Sequence, residues 1–234
     1  MFYIRMAGLV IAIRPLYRYV YELCEDYRTQ AERANISVAV TDEEIAVVTK
    51  EADVPLTAGY CEALCVCRKI SLQLPLYGAF LIHGAAIAVD GEAYLFLARS
   101  GVGKSTHIGL WEKAFGERAQ ILNGDKPVLR RFDEQWYVCG TPWRGKEELG
   151  VNQIVPLKAL CFLERGKENI IAPVSRTWAT GHIFNQVLLP REEEPLTAFF
   201  DLLDDVLARI PCYRLQCNQQ IEAARMAYAG MQKQ

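Results

Sequence analysis

A glycine-bearing loop between an apolar strand and a helix constrains this chain more than any other feature. Ala93-Tyr-Leu-Phe-Leu97 is an apolar run that reads as a buried strand, and His107–Phe115 reads as a helix. Between them stands Ala98-Arg-Ser-Gly-Val-Gly-Lys-Ser-Thr106. A strand, a glycine loop, Lys-Ser and a helix together make the context in which a short pattern becomes a phosphate site. Gly101 and Gly103 admit backbone angles closed to residues with a Cβ, so successive N–H groups can point inward at phosphate oxygens. The helix N-terminus adds partial positive charge at the same spot. Ser100, Gly101, Val102, Gly103, Lys104, Ser105 and Thr106 are therefore the candidate nucleotide contacts. Lys104 is placed to neutralise the outer phosphates, and the Ser105 hydroxyl to ligate magnesium. Ala98 stands where the pattern usually has its first glycine, a departure of one methyl group.

The rest of the chain bounds what surrounds that loop. Its 234 residues are 51% hydrophobic, enough to bury a large core. A formal charge of -2 gives no argument for nucleic acid or an acidic membrane as partner. The eight cysteines do not form a secreted framework, and Cys139, Cys161 and Cys212 sit inside apolar runs. Arg5, Arg14 and Arg18 interrupt the N-terminal apolar stretch, so it is no clean export or membrane segment, and the cytoplasm is expected. Cys61 and Cys65 share a helix face while Cys67 points elsewhere. No second cysteine pair or nearby histidine completes four zinc ligands, so the three read as packing residues.

Hydrophobic patterning predicts a small α+β segment over residues 1–76 and a larger mixed α/β nucleotide-binding domain over 77–234. Phe2–Arg14 reads as two short strands about Gly8, followed by a helix opened by Pro15. A strand at Ile36–Thr41 and a helix over Ala58–Leu74, ended by Pro75, complete the segment. Beyond it, strands are expected at Phe80–His83, Ala85–Val89 and Glu92–Leu97, the last two joined by Asp90-Gly91. Further strands follow at Gln120–Leu122, Pro127–Arg131, Trp136–Cys139, Leu157–Leu163 and Cys212–Leu215. Helices are expected over Ser175–Leu189, Leu196–Arg209 and Gln219–Met231. Hairpins on both sides of the loop predict a mixed sheet, not simple parallel βαβ units.

Three polar features accompany the loop: His83-Gly84, Asn123-Gly-Asp-Lys126 and Gly140-Thr-Pro-Trp-Arg-Gly-Lys146. Phosphoryl transfer needs positioning and electrostatic stabilisation more than covalent help. Asp125, at a strand end, is a candidate metal ligand. Arg144 and Lys146, on a glycine-flanked loop, are candidate phosphate clamps. His83 is a candidate for stabilising charge or touching the acceptor. His107 is expected on the helix surface and His182 in a turn-like Thr-Gly-His break, neither with a role.

The run Leu81-Ile-His-Gly-Ala-Ala-Ile-Ala-Val-Asp-Gly91, the loop Ser100–Thr106 and Asn123-Gly-Asp-Lys-Pro127 resemble the catalytic domain of HPr kinase/phosphorylase. The wider superfamily includes ATP-dependent phosphoenolpyruvate carboxykinase. The resemblance covers roughly Phe80 to Glu164. Met1–Tyr27, the Gly-Thr-Pro-Trp loop and Leu215-Gln-Cys-Asn218 resemble carboxykinase-like bacterial proteins, some of which phosphorylate serine in a peptide. The resemblance implies a carboxykinase-like domain using ATP and magnesium to phosphorylate a hydroxyl on a peptide, protein or small molecule, with a homo-oligomer left open. It implies that His83 is the active-site histidine, that Lys104 sits on the phosphates, and that Ser105 and Asp125 hold the metal. Gly124 falls where the first of two adjacent aspartates, the base toward the acceptor, would stand. Loss of such a base commonly costs about 10²–10⁴ in rate. A nucleotide-binding adaptor without turnover is therefore the rival expectation. A decarboxylating carboxykinase needs a larger second substrate site than 234 residues supply.

Overall fold

The structure, a computed structural model, describes residues 1–232. The chain opens with a four-stranded sheet. Strand β1 (Phe2–Met6) turns back into β2 (Leu9–Arg14); β3 (Arg28–Thr29) flanks β1, and β4 (Ile36–Ala39) lies parallel to β2. A short helix α1 (Arg18–Leu23) leaves this sheet, starting three residues beyond Pro15. The buried Glu62 carboxylate accepts the N–H groups of Leu16 and Tyr17 ahead of it, at 2.6 and 2.9 Å. Helices α2 (Asp42–Glu51) and α3 (Ala58–Ser71) follow. Thr41 and Glu44 form a reciprocal capping box on α2, which satisfies two donors that an uncapped helix leaves open. Helix α3 ends at Ser71, earlier than expected, and Pro75 lies inside a separate 3-10 turn, Leu74–Tyr77.

The second sheet contains nine strands. They are β5 (Ala79–Leu81), β6 (Ala85–Val89), β7 (Glu92–Leu97), β8 (Ala119–Asn123), β9 (Val128–Phe132), β10 (Gln135–Cys139), β11 (Ile154–Arg165), β12 (Ile170–Pro173) and β13 (Cys212–Cys217). Helix α4 (Lys104–Phe115) connects β7 to β8. Helices α5 (Arg176–Ile183) and α6 (Glu193–Arg209) connect β12 to β13, and α7 (Ile221–Gln232) closes the described chain. The order is β5-β9-β10-β11-β7-β6-β8, with β13 also paired to β11 and β12 to β13. Strand β11 runs parallel to β7 and β13, and the remaining pairs are antiparallel. The mixed α/β fold thus matches the patterning of the hairpins.

Strand periodicity divides the central residues between two helix layers. Ala93, Leu95 and Leu97 face one way, toward Ala179 and Ile183 of α5 and Phe199, Leu202 and Val206 of α6. Tyr94 and Phe96 face the other way, toward Ile108 and Trp111 of α4 and Ala223 and Ala227 of α7. Burial on both faces explains why β6 and β7 read as continuous apolar runs. A third core joins the small sheet and α3 to Val128, Cys139 and Trp143 of the larger part. Cys61, Cys65 and Cys67 are buried within it.

Three further boundaries differ from expectation for physical reasons. Helix α6 begins at Glu193, so Pro195 lies in its first turn, where no N–H would find an intrahelical acceptor. The helix expected over Ser175–Leu189 stops at Ile183 and tightens into a 3-10 turn, Phe184–Gln186. Strand β11 is 12 residues long because different stretches of it pair with β10, β7 and β13. Among the described residues, no helix is long and apolar enough to cross a membrane.

Candidate functional site

The loop from Ala98 to Gly103 leaves β7 and enters α4 with Gly103 as the N-cap. Gly103 has φ of +122°, a conformation that strains any residue with a Cβ. Arg165, at the end of β11, donates to the carbonyl oxygens of Gly101 and Val102, the latter at 3.2 Å. These bonds hold the loop carbonyls toward β11. Ser105 lies in the first helical turn, half-buried.

Lys104 does not extend into solvent. Its side chain is buried, with Nζ donating to Ala98 O at 2.8 Å and lying 3.1 Å from His83 Nε2. Burial pushes the Lys104 ammonium down from its ordinary pKa, while Asp125 opposes that shift. His83 lies between β5 and β6, where its N–H donates to Gln186 O at 2.7 Å. Oriented by its partners, Gln186 turns its amide nitrogen toward Ala98 O, His83 O and His83 Nδ1, each at 3.1 Å. With the amide in that orientation Nδ1 is assigned as an acceptor, which places the imidazole proton on Nε2. That nitrogen faces Asp125 Oδ1 at 3.3 Å. Three segments remote in sequence thus meet at His83, beside the lysine of the loop.

Asp125 follows β8 in a fixed turn. Asn123 is fully buried, and its Oδ1 accepts the N–H groups of Asp125 and Lys126 at 2.9 and 2.7 Å. Its Nδ2 donates to Thr141 O and Oγ1, and Thr141 Oγ1 donates in turn to Lys126 O at 2.7 Å. The Lys126 ammonium pairs with Asp125 Oδ2. Burial raises the Asp125 carboxyl, but hydrogen bonding to His83 and the Lys126 charge outweigh it and hold the group at about 2. Burial pushes Lys126 down, and Asp125 more than restores it, so the ammonium is held above its usual pKa.

Among the described residues, Arg144, Lys146 and Gly124 make no hydrogen bond or ion pair to this cluster. The Arg144 guanidinium turns to Asp26 Oδ2 at 2.6 Å and sits 5.7 Å from the Tyr27 ring centre, which ties it to the N-terminal segment. Lys146 is exposed at the tip of the same loop. Gly124 is buried, and a Cβ there would stand 3.0 Å from Arg144 O and 3.5 Å from Leu149 O. Gly145, with φ of +82°, would place a Cβ 2.9 Å from that of Asp125. The 140–150 loop therefore packs on the floor of the site and fills the space beside Gly124.

His107 and His182 correct the sequence expectation. His107 is buried beneath the loop, 2% exposed, and its Nε2 accepts Trp111 Nε1 at 3.0 Å. Its Nδ1 has no hydrogen-bond partner among the described residues. The residue borders a cavity of about 30 Å³ lined also by Gly103, Thr106, Arg165 and Cys217. His182 lies within α5, stacked on Trp178 at 3.7 Å. Gln186, Lys126 and Arg165 are site residues that sequence reasoning missed. Lys126 alone carried a local signal, being adjacent to Asp125.

The ordinary magnesium partners of such a loop are the Ser105 hydroxyl and Asp125. Asp125 is a poor match for that part as it stands, because the Lys126 ammonium already holds Oδ2 and His83 Nε2 approaches Oδ1 at 3.3 Å, so a metal ion there would meet a fixed positive charge.

No protein-family model and no curated protein matches the sequence. One solved structure similar to the chain is the Hpr(Ser) kinase/phosphatase from Coxiella burnetii. The two are 10% identical with a TM-score of 0.34, over 65% of this chain and 98% of that one. A likeness that slight says nothing about the chemistry of the site.

Proposed function

We propose that the chain binds ATP at the Ala98–Thr106 loop and transfers its terminal phosphoryl group to a hydroxyl of a peptide, protein or small molecule. The observation that carries this is the convergence of Lys104, His83 Nε2 and Lys126 beside the N-terminus of α4, with Asp125 as the one carboxylate in their ion pairs. Donors outnumber acceptors there. Lys104 Nζ and the His83 Nε2 proton face each other at 3.1 Å, a contact that an anionic oxygen between them would relieve. In this reading the loop amides and Lys104 bind phosphate. Gln186 sets the His83 tautomer, and His83 stabilises charge on the transferring group. In the overall change, the acceptor oxygen bonds to the γ-phosphorus, the bridging P–O bond to ADP breaks, and the hydroxyl proton is lost to solvent or a nearby base.

A second reading, nucleotide binding without turnover, is favoured by the packing at Gly124. No base stands at that position, and Asp125, held at about 2, is a weak proton acceptor.

Calorimetric titration of ATP into the wild type and Lys104→Ala tests the binding site. The variant is expected to lose at least about tenfold in affinity, the weight of one charge-assisted contact. Equal affinities overturn the assignment. Transfer of label from γ-labelled ATP to serine-containing peptides separates the kinase from the adaptor.

A further inference from the structure

We propose that Lys126 supplies at this site the positive charge that a divalent cation supplies at the usual phosphate loop, so that a nucleotide polyphosphate binds without magnesium. The inference rests on the nucleotide-binding reading and assigns that site's cation.

Magnesium demands near-ideal octahedral oxygen coordination and is commonly held by one or two carboxylates together with substrate phosphates. The cluster offers the single carboxylate of Asp125. One of its oxygens faces His83 Nε2 at 3.3 Å, and the other holds the Lys126 ammonium. A metal ion at Asp125 would have to share that carboxylate with the Lys126 ammonium and would meet its positive charge at the same group.

Lys126 is also built into the site and does not merely lie across it. Its N–H is fixed by Asn123 Oδ1 at 2.7 Å and its carbonyl by Thr141 Oγ1 at 2.7 Å. Both anchoring side chains are fully buried and bonded to each other. Pro127 follows, and its carbonyl accepts Ile82 N–H at 3.1 Å. The Lys126 side chain thus leaves the backbone from a point determined on both sides, 29% exposed, beside the residue that would otherwise hold a metal. Lys104 and Lys126 then flank the carboxylate through His83 and directly, two cations to one anion. A polyphosphate restores that balance by bonding both ammonium groups.

Calorimetric titration with ATP and with tripolyphosphate, in EDTA and in excess magnesium, tests the proposal. In the wild type the two conditions are expected to agree within about threefold. Lys126→Met, which keeps most of the length of the side chain and removes its charge, is expected to weaken binding in EDTA by about 10- to 100-fold. Magnesium should recover part of that loss, because Asp125 is then free. Lys126→Arg, which keeps the charge, should bind more tightly in EDTA than Lys126→Met. Wild-type binding at least about tenfold tighter with magnesium overturns the proposal whether or not any variant folds. So does Lys126→Met binding as tightly as the wild type in EDTA. Binding that needs magnesium and Lys104 but not Lys126 overturns this inference and leaves the nucleotide site standing. Failure of both ligands to bind in either condition removes the nucleotide site itself.

Discussion

Burial decides what His107 does. Desolvation pushes its pKa from 6.5 down to about 4, and its one bonded nitrogen accepts from Trp111. Above pH 6.5 the imidazole is neutral in both folded and unfolded chains and costs nothing. As pH falls from 6.5 toward 4, the unfolded chain takes up a proton that the folded chain cannot, and stability is lost. The loss approaches roughly 3 kcal/mol. His107→Leu should flatten this part of the urea-stability profile between pH 4 and 6.5, even though it leaves Trp111 Nε1 unpaired and lowers stability at pH 7. An unchanged pH slope would mean that His107 is protonated in the fold. Gly124 gives a second expectation of the same kind. An aspartate there directs its Cβ at two backbone carbonyls and buries a charge beside them. Gly124→Asp should therefore destabilise by about 2–5 kcal/mol and yield no gain in phosphoryl transfer. Thermal melts and a transfer assay read the two effects separately. A well-folded, faster variant would show that the 140–150 loop yields.

The strand-loop-helix element combines parts that were legible in the sequence with parts that were not. Strand β7 and helix α4 announce themselves because a buried strand must be apolar and the loop between them must hold glycine where φ is positive. The brace on that loop has no local signature. Arg165 reaches it from β11, and Gln186 reaches His83 from a 3-10 turn, so only the fold brings them together. Strand β12 was invisible for another reason: three of its four residues are exposed and it pairs only with β13, so no alternation marks it. The burial of His107 did carry a signal. Positions 107, 108 and 111 share one helical face, and a histidine four residues before a tryptophan on a core-facing stripe is placed to be bonded and buried. Arg165 yields a prediction for this element. Its side chain is exposed, so Arg165→Ala should change stability by less than about 0.5 kcal/mol. Releasing the Gly101 and Val102 carbonyls should nevertheless lower ATP affinity by roughly 3- to 10-fold, through the cost of ordering a freed loop. Calorimetry and a thermal melt on the same sample check both halves. Lost stability with intact affinity would make Arg165 a purely structural brace.

At the scale of the whole molecule, the small N-terminal sheet and the site share a core. Trp143, on the loop that carries Arg144 and Gly145, is 5% exposed, and its Nε1 donates to Ala63 O at 2.9 Å. The Arg144–Asp26 ion pair, the Tyr27 hydroxyl on Val151 O and the Arg130 guanidinium on Ala7 O add polar ties across the same seam. The loop that forms the floor under Asp125 is thus held from the far side by α3 and the first sheet. If these contacts make one cooperative unit, a large cavity at the seam must weaken the whole fold and not one part of it. Trp143→Ala should cost about 3–5 kcal/mol. In a chain of this size that lowers the midpoint by roughly 10 °C. Calorimetry should show one endotherm, displaced as a whole, with calorimetric and van't Hoff enthalpies equal. Two endotherms, or a main endotherm that does not move, would mean that residues near 1–76 melt on their own. In that case the floor of the site would be set by the larger sheet alone.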